Sequence, residues 1–75
     1  MKVEEALKKA RKAREEFPEG TRVRLVRMND TQAPAPGTLG TVVHVDDIGM
    51  IHVNWDSGST LGAMYGEDII EPIGQ

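Results

Sequence analysis

His44 and His52 are the residues of this 75-residue chain best suited to chemistry, because hairpin pairing around the turn at Asp47 to Gly49 sets the two imidazoles opposite each other. Two imidazoles can share a metal. Zinc, however, takes about four protein ligands in a structural site and three in a catalytic one, and the chain has no cysteine and no third histidine. A histidine general base would need a nucleophile beside it, and no motif places one there. The pair is expected to be a solvated cross-strand contact. Asp46, Asp47 and Asp56 offer carboxylates, but they sit where turns favour Asp, and the distal Glu of an EF-hand is missing. Gly37 and Gly40 make no phosphate-cradling loop, since no Lys follows and no helix opens there. No catalytic residue, metal ligand or cofactor is assigned, and the chain reads as a non-enzyme.

The elements that must position these side chains are legible from periodicity. Between Gly37 and Gly58, Val43 and Val45 alternate with Val42 and His44, and Ile51, Val53 and Trp55 alternate with His52 and Asn54, the period of two expected of half-buried strands. Asp47-Ile48-Gly49 and Asp56-Ser57-Gly58 share the form of three-residue hairpin loops, with Gly supplying the left-handed position. The first turn sets Val45 opposite Ile51, Val43 opposite Val53 and Thr41 opposite Trp55 on the inner face. The second sets Trp55 opposite Ser59, Val53 opposite Leu61 and Ile51 opposite Ala63. Both hairpins agree on one inner face, which predicts an antiparallel meander with Trp55 in its core.

Upstream, Thr21 to Met28 alternates Val23 and Leu25 against Arg22 and Arg24, a first strand with a basic outer face. The stretch from Asn29 to Gly37 has no periodicity and two prolines, so it reads as a long, stiffened loop. A short strand from Ile69 to Ile73 closes the set. Residues 2 to 16 predict a helix, with Val3, Ala6, Leu7, Ala10, Ala13 and Phe17 as a narrow apolar stripe. Pro18 and Gly20 stop it, making FPEG the helix-to-strand corner. The stripe is expected to pack on the chain's own sheet or on that of a second copy, which leaves room for a homodimer through the helix. The fold class is mainly β with one helix: residues 1–17 an N-terminal amphipathic helix, residues 18–75 an SH3-like barrel of five antiparallel strands.

All 9 Lys and Arg lie at or before Arg27, leaving that part at +4, whereas the rest carries seven acids and no base. Segments of opposite sign attract, which can hold the N-terminal segment on the barrel, link neighbouring molecules head to tail or leave a basic arm for an acidic partner, the first being the simplest. The opening MKVEEALKKARK lacks the apolar core of a signal peptide, and no run of about 18 apolar residues exists to cross a bilayer. A soluble cytoplasmic protein that does not engage membranes is expected, and a globule this small buries only roughly 60% of its unfolded surface.

The strand opening GTRVRLVRM, the proline loop, the GTLGTV of Gly37 to Val42, VDDIG, IHVNWD and the GSTL that follows together resemble the small bacterial and phage family called domain of unknown function 4314. The likeness runs from about Phe17 to Asp68. It implies an SH3-like fold in proteins often carried by phages and conjugative elements, with no established activity. A weaker likeness, over Gly40 to Val53 and Trp55 to Gly58, is to KOW and Mib-Herc2 type barrels, which bind nucleic acid or protein respectively. The helix lies outside these patterns.

Two functions are expected from this reading. The first is a protein-binding or regulatory accessory module of a mobile element, using the outer sheet face and proline loop through Val42, His44, Met50, His52, Met64 and Tyr65. The alternative is nucleic-acid binding in which Lys8, Lys9, Arg11, Lys12, Arg14, Arg22 and Arg24 meet phosphates. Against it, Glu4, Glu5, Glu15 and Glu16 interrupt the basic run. Phe17, Trp55 and Tyr65 are the only aromatics, a poor stacking platform for single strands.

Overall fold

A computed structural model describes residues 2–74. One helix, α1 (Val3–Glu16), precedes five strands: β1 (Arg22–Arg27), β2 (Leu39–Val45), β3 (Met50–Trp55), β4 (Ala63–Met64) and β5 (Ile69–Pro72). All neighbours are antiparallel in the order β4-β3-β2-β1-β5. The sheet is open, with β4 and β5 as its edges, instead of being closed into a barrel. Both edges are blunted. The Met64 N–H donates to Asp68 Oδ2 at 2.9 Å, and Pro72 has no N–H to offer a further strand. Among the described residues no helix is long and apolar enough to cross a membrane.

The core gathers Ala13, Phe17, Val23, Leu25, Val42, Val45, Ile51, Val53, Trp55, Ala63 and Ile70. Both turns adopt the expected form: Gly49 and Gly58 have φ of 90° and 98°, and the N–H groups of Gly49 and Gly58 donate to Asp46 O and Trp55 O. His44 pairs with His52 and Val45 with Ile51, as the first turn dictates. Beyond His44 the register departs from strict alternation. Val42 stands opposite Val53 and Gly40 opposite Trp55, so Val43 is an extra residue, a β-bulge. The bulge exchanges two positions: Val42 lies in the core and Val43 outside, and Thr41 faces Asn54 instead of Trp55.

The reason lies at Gly40, where a Cβ would fall 2.7 Å from Trp55 Cε3 and 2.7 Å from Val53 Cγ1. The indole lies over bare backbone, and the one-residue shift brings that glycine beneath it. Trp55 also explains the end of the second hairpin. Ser59 and Ala63 keep their predicted partners, but among the described residues no ladder pair forms between Val53 and Leu61. The Leu61 carbonyl instead accepts the indole Nε1–H at 2.9 Å, satisfying a donor that burial would otherwise leave unpaired.

The helix divides along its length. Ala10, Ala13 and Phe17 are buried against the sheet, whereas Val3 and Leu7, expected to pack, stay exposed. The FPEG corner fastens the buried end, with Gly20 N–H donating to Val42 O at 2.8 Å and Val42 N–H to Thr21 O at 2.9 Å.

Candidate functional site

The outer face of β2 and β3 is organised by Asp46. Its Oδ1 accepts the Ile48 and Met50 N–H groups at 3.1 and 2.9 Å, closing the hairpin turn, and its Oδ2 lies 3.1 Å from His52 Nε2. Burial pushes this carboxyl up, but the hydrogen bonds from Met50, His52 and Ile48 outweigh it and hold its pKa below the ordinary value. With His52 fixed from one side, His44 stacks on the other, ring centroids 4.4 Å apart and planes within 11°. Asp47 and Asp56 act differently from Asp46: each reaches an arginine.

Met50 and Met64 are ladder partners and extend this face, both half-buried. Beside them lies a groove of about 400 Å³. It is lined by Gln32 of the proline loop, Met50 and His52 of β3, and the segment from Ser59 to Gly62. Gly62 makes the close approach possible, since a Cβ there would fall 2.7 Å from Met50 Sδ. Gln32 is set by a turn in which Asp30 Oδ1 accepts its N–H at 2.7 Å. Among the described residues no Asp, Glu, Lys or Arg lines the groove. Sequence reasoning missed Gln32 and the 59–62 segment. The signal available was Gly62, a glycine that no turn explains.

Of the six residues read as partner contacts, His44, Met50, His52 and Met64 share this face. Val42 does not, because the bulge turns it inward, to 1% exposure. Tyr65 belongs to the helix-docking corner, where its ring meets Phe17 edge-on at 6.4 Å. Hydrogen bonding to Glu16, burial and the nearby charges of Glu16 and Glu15 raise its hydroxyl pKa.

The seven basic residues are not gathered into one surface. Arg22 makes a two-pronged contact with Asp56 at 2.9 and 2.7 Å and also reaches Thr41. Arg24 pairs with Glu71 at 2.7 Å, and Arg14 binds Asp47 at 2.8 Å and the Val45 carbonyl. Lys9 lies 3.6 Å from Glu67. Four of the seven thus meet acids of the turns and of β5, the attraction that the charge distribution suggested. Among the described residues Lys8, Arg11 and Lys12 make no ion pair and stay exposed on α1.

The fold and face define a small helix-plus-sheet module with a near-neutral groove on its outer side. The chain belongs to the family described as Domain of unknown function (DUF4314), whose model matches residues 5–73. That span includes all but the first two residues of α1, so the helix is part of the family pattern and not an addition to it. No curated protein and no solved structure matches the chain.

Proposed function

We propose that this protein is a non-enzymatic binding module that takes an extended segment of a protein partner on the outer face of β2 and β3, as an accessory or regulatory protein of a phage or mobile element in the cytoplasm. The groove between Gln32, Met50, His52 and Leu61 carries this reading, because it joins the proline loop to the sheet in one mixed apolar and hydrogen-bonding surface. The phage and mobile-element context rests on the family resemblance alone.

A nucleic-acid interface is the weaker alternative. Arg14, Arg22, Arg24 and Lys9 already face carboxylates, and a phosphate would have to displace them. Lys8, Arg11 and Lys12, without an ion pair among the described residues and interleaved with Glu4, Glu5 and Glu15, supply nonspecific attraction at most.

Selection of peptides from a random display library tests the proposal. Peptides enriched on the wild-type protein should lose at least about tenfold in affinity for Gln32→Trp, a change of about 1.4 kcal/mol. That substitution plugs the groove from an exposed loop without touching the core. Peptides that bind both proteins equally would contradict the assignment of the groove.

A further inference from the structure

The apolar stripe of α1 is covered by its own sheet only over its second half. Val3 and Leu7 remain 73% and 46% exposed, while Ala10 and Ala13 are fully buried. Val3, Leu7 and Arg11 are spaced four apart and form one ridge on the helix surface, with Glu4 alongside on the same flank as Arg11. Arg11 has no ion-pair partner among the described residues of its own chain.

We propose that this ridge is a homodimer contact, in which two copies of α1 cross antiparallel about a two-fold axis near Leu7. Ridges of residues four apart pack into the matching grooves of a second helix, and a two-fold contact uses the same patch on both copies. Charge selects the direction. An antiparallel pair with Leu7 at its centre places Val3 on the aliphatic stem of the partner's Arg11 and Glu4 beside its guanidinium, twice by symmetry. A parallel pair would leave Glu4 and the partner's Arg11 seven residues apart along the axis, about 10 Å at 1.5 Å per residue, so neither charge would meet its opposite. A ridge of three residues is short beside the roughly 800 Å² per partner of a standard interface, so the dimer is weak and forms at high protein concentration.

The absence of cysteine makes the test clean. Leu7→Cys puts a single thiol at the two-fold axis, where two copies fall within disulfide reach, whereas Val43→Cys puts an exposed thiol on the sheet. Under mild oxidation of the full chain at high protein concentration, Leu7→Cys should form linked dimers at least about tenfold faster than Val43→Cys. Sedimentation of the unlinked wild type should show average mass rising with concentration. Glu4→Arg or Arg11→Glu alone should suppress that rise, and the double swap should restore it. Equal cross-linking rates, a monomer up to about 1 mM, or a double swap no better than the single changes would overturn the proposal.

Discussion

Replacing Gly40 by Ala probes the feature on which the sheet's register turns. The new methyl carbon would sit 2.7 Å from Trp55 Cε3, 2.7 Å from Val53 Cγ1 and 3.0 Å from the Asn54 carbonyl. The carbonyl belongs to the paired strand and cannot withdraw, so the indole and Val53 must move within a packed core. Overpacking of this kind costs about 1 to 3 kcal/mol. Shifting the ring also strains the Nε1–H bond to Leu61, a further cost of about 1 kcal/mol, for about 2 to 4 kcal/mol in all. In a domain this small each kcal/mol lowers Tm by roughly 4 to 8 °C. Urea unfolding followed by the fluorescence of Trp55, the only tryptophan, measures the loss directly. A Gly40→Ala protein within about 0.5 kcal/mol of wild type would refute the account of why β2 carries its bulge.

Gly49→Ala and Gly58→Ala should each cost about 1 kcal/mol by the same assay, because both glycines have positive φ. Phe17→Leu should destabilise measurably while Leu7→Ala changes stability by less than about 0.5 kcal/mol, since only the former is buried. The Asp46 carboxyl has a lowered pKa in the folded state, so its contribution to stability is full above the unfolded value of about 4 and is lost as pH falls through the lower folded value. Asp46→Asn should therefore flatten part of the acid-side decline in urea midpoint, which wild type shows below about pH 4. Duplex and single-stranded DNA and RNA should bind no tighter than roughly 10 μM near physiological salt. Submicromolar binding abolished by Lys8→Glu with Lys12→Glu would instead favour the basic helix as the functional element.

Turn chemistry made much of this fold legible. Gly49 and Gly58 set both hairpins, and counting outward from each gave His44 with His52, Val45 with Ile51, Trp55 with Ser59 and Ile51 with Ala63. Counting failed at Val43, because a bulge breaks the period of two and its cause, the fit of Trp55 over Gly40, is a contact between strands that no local pattern reveals. The helix stripe was visible, but not that the sheet is long enough to cover only Ala10, Ala13 and Phe17. Similarly, the charge asymmetry pointed to attraction between segments, while the partners chosen by Arg14, Arg22 and Arg24 depend on where the strands bring Asp47, Asp56 and Glu71. The groove was legible only in part. Met50 and His52 alternate onto it, but Gln32 arrives from a loop whose path is fixed by tertiary hydrogen bonds such as Gly37 N–H to Leu25 O at 2.7 Å.

Quantitative affinity capture from the native host most directly tests the claim that the outer face binds a protein. The wild type should be compared with Met50→Lys, Gln32→Trp and the double change of Lys8→Glu with Lys12→Glu. The account predicts a protein enriched on the wild type, lost with Met50→Lys and Gln32→Trp, and retained with the helix charge reversal. Recovery of nucleic acid that the charge reversal alone abolishes, with no protein dependent on Met50 or Gln32, would contradict it.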